Sequence, residues 1–197
     1  SAADLNDAIL TIKNYGNVGI GTTTPNNLLQ VFDLINFNNT DYNTNLGYQA
    51  GKNLVSGAQY NTNLGYQAEN SANNTTADSN TAIGYQALYS NISGRENTAI
   101  GATSLYSNIS GTYNTANGYR SLYYNTGSYN TANGYEALYL STSPNSNTAI
   151  GSGSLRSNTT GANNTAVGYG SLGTNFIGVS NTAIGTNAGV SATDLSN

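Results

Sequence analysis

The stretch Asn80-Thr81-Ala82-Ile83-Gly84-Tyr85-Gln86-Ala87-Leu88-Tyr89 decides the fold, because its opening pair and its glycine return along most of the chain. An Asn-Thr pair followed three residues after the Thr by Gly occurs nine times, with threonines at Thr44, Thr62, Thr81, Thr98, Thr115, Thr131, Thr148, Thr165 and Thr182. The spacings run 18, 19, 17, 17, 16, 17, 17, 17. No helical period produces such spacings, whereas a solenoid of stacked coils does.

Counting from the Thr, Gly stands at +3 in all nine copies, and Leu stands at +7 as Leu88, Leu105, Leu122, Leu138, Leu155 and Leu172. A second Gly falls at or near +13, as Gly94, Gly111, Gly161 and Gly178. This pattern predicts an all-β, parallel β-roll of about nine coils, with two short strands per coil, Thr-Ala-Ile and Ala-Leu-Tyr, and glycine at the corners. Alternation puts Thr and Ile on one face of the first strand and Ala and Gly on the other; on the second strand Leu opposes Ala and Tyr. At about 4.8 Å per coil the stack is a rod on the order of 40 Å long.

Residues 1–40 lie outside the repeat and read as a small β module and connector, 41–190 as the roll, and 191–197 as a C-terminal tail. In the module, Ala8–Ile12 reads as a strand, Asn14–Asn17 as a turn, and Val18–Gly21 and Leu28–Val31 as further strands, with Asp33 to Asp41 leading into the first coil.

Composition excludes several function classes. Charged residues make up 7% of the chain, against roughly 25% in an average soluble domain, yet the periodic Ile, Leu and Ala separate it from disordered tracts. Net charge is −4 and the basic residues are only Lys13, Lys52, Arg95, Arg120 and Arg156, too few and scattered for a phosphate backbone, so no nucleic acid partner is expected. Cys and His are absent, which removes disulfides, thiolate metal sites and Ser/His or Cys/His nucleophiles. Glu69, Asp78, Glu96 and Glu136 are scattered along the repeat and read as solvated, although Asp78 and Glu96 stand about one period apart at similar phases, so that stacking could bring them near each other. The turns carry Asn, Ser and Thr where a calcium-binding roll needs Asp. Gly19-Ile20-Gly21 lacks a third glycine at fingerprint spacing. The expectation is no enzyme, no metal and no cofactor. No apolar run approaches the length of a membrane-spanning helix and no secretory signal is present, so this segment is not expected to insert in a membrane. The lack of Met reads as a processed or excised piece of something longer.

Each coil offers little more than one Ile, one Leu and two Ala for burial, thin for a roll standing alone. Three rolls about a common axis would bury both faces of the first strand, so a homotrimer is expected. Asn117 and Asn133 replace Ile in two adjacent coils and form candidate polar layers on that axis, where symmetry mates can pair their amides; inside a roll, unpaired amides would cost about 1–3 kcal/mol each. The Asn before each Thr reads as a stacked hydrogen-bonding rank. Tyr89, Tyr106, Tyr123 and Tyr139 share position +8 and form a stripe ending at Arg156, read either as a platform for sugar rings or as an aromatic shield over a corner. The sequons at Asn91, Asn108 and Asn158 permit glycosylation in a eukaryotic secretory route.

Asn80-Thr81-Ala82-Ile83-Gly84, Asn97-Thr98-Ala99-Ile100-Gly101 and Asn147-Thr148-Ala149-Ile150-Gly151 resemble the head repeats of trimeric autotransporter adhesins of the YadA type, and also repeats of phage tail fibres and of fibre proteins of predatory bacteria. The resemblance spans about residues 43–190 and implies trimers of left-handed parallel β-rolls; the longer repeat implies a longer outer turn. The segment from Gly16 to Pro25, with Leu28–Val31, is similar to one found in tail-fibre and fibre-tip proteins. The expected function is an extracellular fibre or adhesin segment on a cell surface or virion, attaching through repeated weak contacts to a glycan or protein. The alternatives are a purely structural shaft and an ice-binding solenoid displaying its Thr row.

Overall fold

The computed structural model describes residues 10–13, 16–22, 24, 29–31, 35–38, 41–55, 57–71 and 76–189. They form one sheet of 13 strands in sequence order, with no helix among the described residues. Four strands precede the repeat: β1 (Leu10–Ile12), β2 (Val18–Ile20), β3 (Leu29–Val31) and β4 (Ile35–Asn38). The repeat supplies β5 (Asn43–Leu46), β6 (Thr62–Leu64), β7 (Thr81–Ile83), β8 (Thr98–Ile100), β9 (Thr115–Asn117), β10 (Thr131–Asn133), β11 (Thr148–Ile150), β12 (Thr165–Val167) and β13 (Thr182–Ile184). These nine pair in parallel with each Thr beside the next, giving a parallel β-solenoid of about eight turns.

Within the N-terminal module, β1 and β2 pair antiparallel around a turn in which Lys13 N–H donates to Asn17 O at 2.9 Å and Gly16 N–H to Lys13 O at 2.8 Å. Strand β1 begins at Leu10; Ala8 and Ile9 lie outside the described residues, as does the 191–197 tail. The expected connector contains β4, which pairs antiparallel with β5 from Ile35↔Leu46 to Asn38↔Asn43 and so covers the edge of the first coil. The sheet therefore runs across the boundary at residue 40.

Among the described residues each coil holds one strand, not two. After Ile83 the chain turns with positive φ at every second residue, Gly84 (135°), Gln86 (52°) and Leu88 (52°), so Ala87, Leu88 and Tyr89 are not extended. Gly84 and Gln86 N–H donate back to Leu64 and Tyr66 O of the preceding coil, while Leu88 and Ser90 N–H donate forward to Ser104 and Tyr106 O. The inter-coil ladder thus continues through a left-handed backbone, which costs an L-residue roughly 1–2 kcal/mol and is held here by those bonds and by burial of the Leu. The same winding corrects the expected side-chain alternation: Ala87 and Leu88 both point inward, each 0% exposed.

The core is correspondingly narrow. It consists of the Ala column at +1 (Ala82 through Ala166) and the Leu column at +7 (Leu88 through Leu172), supplemented at +6 by Ala87, Ala137, Ser104 and Ser121. Burying each Leu contributes about 1.5–3 kcal/mol. Ile100 and Ile150, by contrast, face outward beside their threonines.

Two columns of buried amides line the rest of the interior. Along the −1 column, from Asn61 to Asn181, the Asn N–H donates to the Oδ1 of the Asn one coil back, as in Asn97 to Asn80 at 3.0 Å, and from Asn43 to Asn164 the Nδ2 donates to a main-chain carbonyl, Gly111 O for Asn97 at 2.8 Å. The +10 column is Asn91, Asn108, Asn125, Asn158 and Asn175, with Ser141 between Asn125 and Asn158, all 0% exposed. Asn108 Nδ2 donates to the same Gly111 O at 3.0 Å and to Asn91 Oδ1 at 3.2 Å. These bonds satisfy the turn's main chain without charged residues. They also enclose the sequon amides Asn91, Asn108 and Asn158, leaving no room for a glycan on the folded chain.

Coil length varies without disturbing this order. The long coil from Thr62 and the short coil from Thr115 both pair Thr to Thr with the next strand. In the short coil the residue is lost between Asn125 and Gly127, yet Asn125 Nδ2 still reaches Gly127 O at 2.8 Å.

Candidate functional site

The expected +8 stripe exists. Tyr89 and Tyr106 stack at 5.2 Å between centroids, Tyr106 and Tyr123 at 5.0 Å, and Tyr123 and Tyr139 at 5.5 Å with the last ring tilted 39°. Tyr124, from the next position, meets Tyr123 and Tyr139 edge-on. The column ends under Arg156, whose guanidinium carbon sits 5.3 Å from the Tyr139 ring centre. All four rings are only half-exposed. Burial pushes the phenols of Tyr106, Tyr123 and Tyr139 above the usual tyrosine range, reinforced by neighbouring phenols. The column is therefore a half-buried stack whose last ring is tilted out of line with the others.

A more exposed aromatic column stands at +4, one residue past the corner glycine. It comprises Tyr48, Tyr66 and Tyr85, stacked at 5.3 and 5.4 Å, then Tyr119 and Tyr135 at 5.5 Å, then Tyr169. Each of the six is 41–62% exposed. Ala102 and Ser152 take the place of Tyr in two coils, so the column has two empty rungs between its first and last rings. A third set, at −2, pairs Tyr42 with Tyr60 and Tyr113 with Tyr129; a hydrogen bond to Glu96 raises the Tyr113 phenol. Sequence reasoning finds only the +8 stripe, although Tyr one residue after the repeat glycine is a comparably regular signal.

The carboxylates correct the sequence reading most. Glu69 is wholly buried at the position that Leu fills in the next six coils, and Glu136 is 7% exposed. Glu136 is held by Arg156, Nε to Oε2 at 2.8 Å, and by Arg120, Nη1 to Oε1 at 3.7 Å. Stacking does set Glu96 beside Asp78, with Glu96 N–H donating to Asp78 O at 2.9 Å, and Arg95 meets the Asp78 carboxylate at 3.8 Å. Among the described residues no group of three or more His, Cys, Asp or Glu is placed to hold a metal, and no helix is long and apolar enough to cross a membrane. Asn117 and Asn133 project outward from the strand face, exposed, which removes the alternative that they face their own roll's interior.

Two clefts open beside the columns. One of about 580 Å³ lies at the start of the +8 stripe, between Tyr89 and the amides of Gln49, Gln67, Asn53 and Asn70. The other, of about 390 Å³, lies at the Ser152 rung, between Tyr135 and Tyr169. Compared with protein families, curated proteins and solved structures, the chain matches none.

Proposed function

We propose that this chain is the β-roll segment of a non-enzymatic, extracellular surface or virion fibre. In this reading three left-handed rolls pack about a common axis, and the fibre projects from its carrier and attaches to a target cell through many weak contacts. The observation that carries it is the outward row at +2. Leu46, Leu64, Ile100, Ile150 and Ile184 are 38–72% exposed, in register beside the threonines on one continuous strand face. An exposed apolar row of this kind, interrupted by Asn117 and Asn133, marks an interaction surface, and the low charge and the regular coil spacing favour further copies of the same chain as its occupant. Asn117 and Asn133 then meet their symmetry mates at the axis. The stacked tyrosines, repeated along three chains, supply the outward contact surface, with affinity arising from multivalency.

Light scattering on the purified protein tests this reading. The expected solution mass is three times the 20.4 kDa chain. A folded monomer would overturn the trimer and leave the threonine row in water, which favours the ice-binding solenoid and would show as thermal hysteresis. A trimer that binds neither cells nor glycans would reduce the segment to a structural shaft.

A further inference from the structure

The +4 tyrosines behave as a ladder in which each ring lies one coil from the next. Tyr135 turns one face to Tyr119, at 5.5 Å and 22°. Its other face looks toward the coil of Ser152, beyond which Tyr169 stands 62% exposed. Two coils separate Tyr135 from Tyr169, about 10 Å at the usual strand spacing. A ring seated at the empty rung would lie about 5 Å from each tyrosine, within the range in which rings stack.

Next to this slot the surface is cut away. Gly153 and Gly170 stand where earlier coils carry Gln86, Thr103, Arg120 and Glu136, and Gly173 stands where earlier coils carry Tyr. The result is the trough of about 390 Å³, near the lower end of the roughly 300–1,000 Å³ of small-ligand sites. Its lining includes Asn187 and the Arg156–Glu136 pair, joined at 2.8 Å. The Ala102 rung lacks this trough's glycine floor, since Thr103 occupies the neighbouring place.

The geometry points to a subsite for one pyranose ring of a cell-surface glycan, its two faces against Tyr135 and Tyr169 and its hydroxyls toward Arg156, Glu136 and Asn187. A sugar suits the slot better than an aromatic guest. The slot's lining holds a guanidinium, a carboxylate and an amide, which together donate to and accept from vicinal hydroxyls. The site rests on the attachment reading above and names the ligand chemistry for it. It lies past the glycine corner from the strand face assigned to the trimer, so the two surfaces are distinct.

The test uses the full chain and the methyl glycosides of galactose, glucose and N-acetylglucosamine, read by saturation-transfer NMR. At least one should receive saturation from the wild type. Ser152→Tyr, which completes the ladder with the residue six other coils carry there, should abolish that signal while the thermal midpoint stays level or rises. Tyr169→Ala should weaken binding about tenfold or more. Transfer that survives both changes overturns the slot but leaves attachment standing, as does a wild type that binds cells but none of the three glycosides. A wild type that binds neither overturns both.

Discussion

Asn91 donates from Nδ2 to Glu69 Oε1 at 3.0 Å across a coil boundary, and both side chains are 0% exposed. Asn80 Nδ2 donates to the same oxygen at 3.0 Å. Both amides also donate to Gly94 O at 3.0 Å, so each keeps a partner when the carboxylate is removed. Glu69→Leu would extend the Leu column by one coil and should stabilise the fold by about 1 kcal/mol or more, because a buried carboxylate is replaced by the packing its neighbours already make. Glu69→Ala should instead destabilise by about 2 kcal/mol through the cavity it leaves. Denaturant midpoints that fall in both variants would show that the hydrogen bonds, not the burial, dominate this site.

At the corner, a Cβ on Gly84 would lie 2.7 Å from Gly101 O, on a backbone with φ of 135°. Neither the neighbouring main chain nor the torsion can yield without breaking the ladder. Gly84→Ala should therefore cost about 3 kcal/mol or more, whereas in the last coil Gly185→Ala meets nothing closer than Ala188 Cβ at 3.9 Å and retains only the torsional strain. Thermal melts of the pair separate the steric part from the torsional part.

Leu122 sits mid-column with Leu105 and Leu138 on either side. Leu122→Ala should cost about 2–5 kcal/mol. Because neighbouring coils support one another in a solenoid, hydrogen exchange should show protection lost over adjoining coils and retained at a distance.

If Asn117 and Asn133 form polar layers between three chains, changing both to Ile should raise the thermal midpoint of the assembled protein, as apolar contacts replace paired amides. A lowered midpoint with unchanged mass would remove these residues from the axis.

Alkali should act through the +8 stripe. The raised phenols of Tyr106, Tyr123 and Tyr139 mean that the folded chain keeps protons which the unfolded chain releases once pH passes the ordinary value of 10.0. Stability should therefore be level below pH 10.0 and fall as pH rises beyond it, through the raised folded values. Phenolate absorbance followed against pH, together with melts at each step, checks both parts; changing the three to Phe should lessen the alkaline loss.

What can be read from residue types depends on which physical term sets each feature. The interval between threonines and the glycine at +3 reveal the coil and its register, since one requires a closed turn and the other admits no side chain. The single strand per coil is hidden because alternating φ signs leave no mark on residue type: Leu88 looks the same in a strand and in a left-handed turn. Glu69 reads as solvated because charge predicts exposure unless partners are known, and its amide donors come from Asn80 and Asn91, 11 and 22 residues away. The +8 tyrosines are legible as a column, but their half-burial is not, since it depends on how tightly the turn winds. The empty rung at Ser152 is visible only after the coils are superposed, when a missing side chain becomes a space between two present ones.

The long coil from Thr62 and the short one from Thr115 share one strand register because their changes in length fall, in sequence, between position +7 and the next Asn-Thr pair. Height along the rod is thus uncoupled from the amount of polypeptide placed at each level, and the roll serves as a ruler with replaceable marks. A foreign peptide grafted in place of Ile109-Ser110 and another in place of Thr159-Thr160 would be held three coils apart, about 14 Å, at a spacing set by the strands and indifferent to the size of either cargo.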